Sequence, residues 1–136
     1  MSMRPRLAAG AISLLIYLVI FLLSSLPARS LPAHIPDIIP HFLEYAALAF
    51  FLIQAFPRPG RGPGLAAAFF VLAVLGLLDE WHQLSASGRV FSLLDLLWDM
   101  LGALAGITFF RFLLHRSAGN GGGRLSRCFN FLLLQR

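Results

Sequence analysis

Four apolar runs, each approaching the roughly 20 residues a helix needs to cross a bilayer, restrict this chain more than any other feature. The first, Leu7 to Leu26, follows Arg4 and Arg6. The second is "HFLEYAALAFFLIQAF", His41 to Phe56, closed by "PRPGRGPG", a Pro/Gly cluster that cannot continue a helix. The third starts at Leu65, is purely apolar to Leu78 and continues through "DEWHQL". The fourth is "SLLDLLWDMLGALAGITFFRFLL", Ser92 to Leu114. Charged residues occupy only 12% of the 136 positions, about half the usage of a soluble domain and too few for a water-soluble surface. The expectation is an all-α integral membrane protein, a four-helix transmembrane bundle at residues 1–116 followed by a flexible Gly-rich tail at 117–136. The basic start and "LPARS" ending of the first run also suit a secretory signal. Its apolar stretch exceeds the roughly 7–15 residues of such signals, so a retained span is expected.

All 11 basic residues other than histidine are arginines, and they fall between the apolar runs. A nucleic-acid module would cluster them in a patch, so that class of partner is set aside. Arg4 and Arg6 precede the first span, Arg58 and Arg61 separate the second from the third, and Arg111, Arg116, Arg124, Arg127 and Arg136 end the chain. The other two connectors hold one arginine each, Arg29 and Arg89. The positive-inside rule then puts both termini of a multi-pass protein in the cytoplasm, consistent with an even number of spans. Between the first two spans, "PARSLPAHIPDIIP" carries four prolines and reads as a stiff connector. Cys128 is the lone cysteine, so no internal disulfide and no cysteine metal framework is available.

With that topology all six acidic residues fall in the outer half, and four of them lie between Leu75 and Gly106. Asp37 and Glu44 flank the start of the second span, Asp79 and Glu80 end the third, and Asp95 and Asp99 open the fourth. Asp99 sits roughly 10 Å below Ser92 at the helical rise, inside the hydrocarbon depth. A charge near a span's centre costs about 2.5–3.5 kcal/mol, so such residues face the bundle interior and have partners. Spacing of three and four residues places Asp95 with Asp99, Asp79 with His82 and Gln83, and His41 with Glu44 and Tyr45 on common helix faces. Three polar faces then meet in a cavity open to the outside. Asp79 and Glu80, at the negative end of a helix, need a counter-charge from Arg89, a metal ion or a proton. Arg89, with its planar guanidinium, is the expected partner of the aspartates.

Plainer readings compete at several of these positions. Asp37 suits the N-cap of the second span, with Pro40 in the first turn. Asp95, three residues after Ser92, fits a capping box equally well. His34 lies in an exposed loop, and Trp81, His82, His41 and Tyr45 suit the membrane interface. No cap explains Asp99. Gly102 and Gly106, in "GALAG", form a close-packing pattern that serves either the bundle or a contact between copies of the chain.

Taken together, "DEWHQLSASGRVFSLLDLLWDMLGALAG" and the upstream "DIIPHFLEY" resemble the VanZ-like family over roughly Asp37 to Gly106. The matching positions are Asp37, His41, Tyr45, Asp79, Glu80, Gln83, Gly88, Arg89, Asp95, Asp99, Gly102 and Gly106. Ile38 stands where the family usually has Lys, and Ser87 where Pro commonly precedes the glycine. The resemblance implies a bacterial cell-envelope membrane protein; the namesake is associated with low-level resistance to teicoplanin.

Three functions follow, the cell-wall and glycopeptide link being what the resemblance implies and the rest what the residues suggest. The favoured one is a non-enzymatic envelope protein whose outward polar cavity binds a lipid-linked cell-wall precursor or a glycopeptide. Its functional cluster would be Asp37, His41, Tyr45, Asp79, Glu80, Gln83, Arg89, Asp95 and Asp99. The alternative is a membrane-embedded, metal-assisted hydrolase or transferase acting on a lipid headgroup, since carboxylates and imidazoles suit Mg²⁺, Mn²⁺ or Zn²⁺. Against it, no HExxH-type spacing occurs and Arg89 would repel an ion, so a metal is not favoured. An ion path is third, and the nearly apolar cytoplasmic half argues against it. No Ser, Cys or Thr stands in a nucleophile motif.

Overall fold

The computed structural model describes residues 3–27, 36–57 and 62–119. Arg29, His34, Arg58, Arg61 and the chain from residue 120 on, with Cys128, lie outside the described residues. Four helices follow in order: α1 (Met3–Ser24), α2 (Ile38–Ala55), α3 (Gly62–Gln83) and α4 (Leu93–Gly119). All four are long and apolar enough to cross a membrane. Prolines sit in the first turns of α1, α2 and α3, as Pro5, Pro40 and Pro63. There a missing N–H costs nothing and the fixed φ suits the helix. That is why α1 and α3 begin a few residues before the purely apolar stretches. Gly62, at φ +52°, supplies the left-handed backbone that opens α3. At the other extreme α4 runs to Gly119, into the segment expected to be a linker.

α2 is the central helix, packing most extensively on α4 and also on α1 and α3. Gly102 and Gly106 explain the α2–α4 seam. A Cβ on Gly102 would fall on the Phe42 carbonyl oxygen, and one on Gly106 on that of Ala46. Both glycines are therefore used inside the bundle, where only hydrogen lets the two backbones meet. Below them the core fills with Leu48, Ala49 and Ile53 of α2, Leu72 of α3, and Ile107 and Phe110 of α4. The outward faces keep large apolar side chains such as Leu15 and Leu22 of α1, Phe70 of α3 and Phe109 of α4 exposed. A helix apolar on every side is what a bilayer accepts and water does not.

Candidate functional site

The polar side chains gather at one end of the bundle, where α1 and α3 finish and α2 and α4 begin. His41, in the first turn of α2, places Nδ1 2.9 Å from Oδ1 of Asp99, in the second turn of α4. Asp99 is completely buried and His41 nearly so. This contact, an ion pair whenever His41 is protonated, stands in place of the Arg89–aspartate pair expected from the sequence. The reason is depth: Asp99 lies below the α3–α4 connector but level with the start of α2. The third wall is Gly76 of α3. A Cβ there would lie 3.4 Å from Asp99 Oδ2 and 3.6 Å from the Tyr45 hydroxyl. Both of those oxygens are buried without a hydrogen-bond partner.

Glu80 and Asp95 stand next to this pair. Ser92 caps α4, its hydroxyl accepting a hydrogen bond from the Asp95 amide at 3.2 Å. In a complete capping box the Asp95 carboxylate would accept the Ser92 N–H in return. Here that N–H donates to Glu80 Oε2 at 2.8 Å instead. The exchange ties α3 to the start of α4. It also leaves the Asp95 carboxylate uncommitted to the cap. Glu80 is fully buried, and its other oxygen, Oε1, has no partner.

Asp79 faces α1. Its Oδ2 accepts hydrogen bonds from the Ser24 hydroxyl at 2.9 Å and from the Gln83 amide at 3.3 Å, while Oδ1 is buried and unpartnered. Arg89 is thus not the counter-charge of Asp79 or Glu80: one oxygen of each carboxylate is met by neutral donors, a hydroxyl and a side-chain amide at Asp79 and a backbone N–H at Glu80. One turn on, the His82 ring stacks on Phe21, with centroids 3.7 Å apart, and Nε2 lies 2.8 Å from the Ser25 hydroxyl. His82 fastens α3 to α1. Ser92 caps α4 as its spacing from Asp95 suggests, whereas the sequence does not single out Ser24 or Gly76. A serine pair closing an otherwise apolar span was the one visible sign of Ser24.

Arg89 lies in the α3–α4 connector, after Gly88 turns the chain with φ +79°. It is half-buried, and its Nε is enclosed without a hydrogen-bond partner. Glu44 is half-buried within electrostatic reach of His41, Asp79, Asp99 and Arg89. Asp37 precedes α2 at the N-cap position, exposed and without a side-chain cap bond. The structure therefore brings His41, Tyr45, Asp79, Glu80, Gln83, Asp95 and Asp99 to one end of the bundle, with Arg89 in the connector above, and leaves Asp37 at the rim.

Two features bear on what this end can bind. One ligand atom each from His41, Glu80 and Asp95 lies within 4.8 Å of the others, a grouping of metal-ligand type. On the outer face of α3, Val74, Leu77, Leu78, Trp81, Leu84 and Phe91 line an apolar groove of about 530 Å³ that reaches the connector carrying Arg89.

A family model described as VanZ/LLP1 matches residues 10–114, from α1 to near the end of α4. The chain belongs to the VanZ/LLP1 family. No curated protein and no solved structure matches it. The matched region takes in every residue of the polar end, so the cluster lies within the part of the chain that defines a VanZ/LLP1 protein.

Proposed function

We propose that this VanZ/LLP1 protein is a bacterial cell-envelope protein that binds the polar head of a lipid-linked cell-wall ligand, with an effect on glycopeptide susceptibility. The observation that carries the reading is Arg89. It is a half-buried guanidinium that forms no ion pair with a carboxylate of the cluster, with Glu44 in electrostatic reach, and the same end of the bundle holds acceptors that also lack partners. An anionic phosphate or carboxylate complements the first, and sugar or peptide hydroxyl and amide donors complement the second. The apolar groove below Arg89 offers a place for the hydrocarbon of the same ligand. Arginine placement supports an outward-facing site, since Arg4, Arg6, Arg111 and Arg116 all belong to the opposite end. Both termini would then be cytoplasmic, in the cytoplasmic membrane.

Binding of undecaprenyl-linked lipid to the protein in nanodiscs tests this. A charge-assisted hydrogen bond contributes about 1.5–3 kcal/mol, so Arg89→Ala should weaken binding by roughly 10- to 100-fold. Equal affinity in wild type and variant would remove Arg89 from the site, and no binding by the wild type would end the reading. The second reading, a metal-assisted hydrolase or transferase acting on the headgroup, is favoured by the His41–Glu80–Asp95 grouping. Metal-dependent release of phosphate from a lipid pyrophosphate separates the two.

A further inference from the structure

We infer that His41, Glu80 and Asp95 form a divalent-cation site of the Mn²⁺ or Zn²⁺ kind. The three residues come from α2, α3 and α4, and their ligand atoms lie within 4.8 Å of one another. Ligands about 2.0–2.2 Å from an ion stand at most roughly 4.4 Å apart, so small side-chain rotations would close the site. One imidazole and two carboxylates suit a first-row ion better than Mg²⁺ or Ca²⁺, which prefer oxygen alone.

Three independent observations point to a cation there. Glu80 is completely buried, and Oε1 has neither a hydrogen-bond donor nor an ion-pair partner. A buried carboxylate oxygen with no donor is costly, and a bound cation removes that cost. Asp95 is released from its expected capping role, because Glu80 takes the Ser92 N–H that the Asp95 carboxylate would have accepted. Finally, Asp99 engages His41 at Nδ1, so Nε2 is the ring nitrogen that remains for an ion. A carboxylate on one ring nitrogen of a histidine is the usual outer-shell arrangement around a metal, fixing the ring and making the other nitrogen a better ligand. Asp99 is thus a positioning residue. Three protein ligands leave coordination positions open to water or to an oxygen of a ligand. Arg89, held in the connector above, makes no ion pair with these carboxylates and leaves their charge to be balanced by the ion.

This site stands apart from the lipid-binding reading, because it is tested with the metal alone. Full-length protein in nanodiscs is titrated with Mn²⁺ and followed by electron paramagnetic resonance, with Zn²⁺ as competitor. One ion per chain is expected, and the bound Mn²⁺ should show nitrogen coupling from a directly bound imidazole. Glu80→Gln and Asp95→Asn should each weaken binding by more than the roughly 10- to 100-fold expected of Asp99→Asn, which removes only an outer-shell partner. His41→Gln should abolish the nitrogen coupling. Absence of bound Mn²⁺, bound Mn²⁺ without nitrogen coupling, or unchanged affinity in both carboxylate variants would overturn the site. Should a variant fail to fold, the nitrogen coupling of the wild-type protein decides the question alone.

Discussion

The seam between α2 and α4 and the seam between α1 and α3 are held by opposite means. Along α2–α4, Gly102 and Gly106 bring backbone against backbone at Phe42 and Ala46, and dispersion over a long contact does the work. Along α1–α3, contact is sparser and is fixed at one end by Ser24–Asp79, Ser25–His82 and the stack of His82 on Phe21. The first seam has no tolerance for added atoms; the second depends on named polar pairs. The functional end sits where the two meet. A rigid α2–α4 scaffold presents His41, Tyr45, Asp95 and Asp99, and α3 completes the site with Gly76, Glu80 and Asp79. Buried side-chain nitrogens and oxygens without partners are confined to this end and its connector among the described residues. At the opposite end polar groups find partners: Gln54 donates to Phe50 O within α2 at 2.7 Å, Arg6 of α1 donates to Ala55 O of α2 at 3.2 Å, and Arg116 lies 4.6 Å over the Phe112 ring.

The largest expected effect comes from filling the glycine seam. Gly106→Leu cannot be accommodated without separating α4 from α2, and should cost more than the roughly 3 kcal/mol at the upper end of overpacking. Loss of a monodisperse species in detergent would show it, and a normally folded Gly106→Leu protein would refute the seam. Ser24→Ala should cost about 1 kcal/mol, the scale of an interhelical hydrogen bond in a membrane, measured by unfolding in mixed micelles. A cost near zero would mean that α1 is not fastened through Asp79. The smallest change is expected of Ser25→Ala, within about 0.5 kcal/mol, because the residue is exposed and its hydroxyl also has the Phe21 carbonyl at 2.8 Å. A loss as large as that of Ser24→Ala would move the weight of the seam from Asp79 to His82.

Much of this was legible in the sequence. The four helices follow from run length, and the clustering of His41, Asp79, Glu80, Asp95 and Asp99 at one end follows from their places on antiparallel spans. Pairing was not legible, because spacing along a helix gives a face but not the rotation or depth at which that face meets its neighbour. Arg89 was expected to hold an aspartate, yet Asp99 lies level with His41 instead. Asp95 looked like half of a capping box until Glu80 was seen to take the Ser92 N–H. Serines in and just after α1 read alike, and only the fold separates them: Ser13 bonds back to its own helix, Ser25 bonds both back to Phe21 and across to His82, and Ser24 reaches Asp79 of α3. Gly102 and Gly106 announced close packing without naming the partner helix.

Cross-linking of introduced cysteines, with Cys128 replaced by serine, tests the convergence of these helices most directly. His41→Cys paired with Asp99→Cys should be joined rapidly by a short bifunctional thiol reagent in native membranes. Leu43→Cys, which starts from an exposed position on the other face of α2, should not be joined to Asp99→Cys. Failure of the 41–99 pair, or equal linkage of the 43–99 pair, would contradict the assembly of a single polar site from α2, α3 and α4.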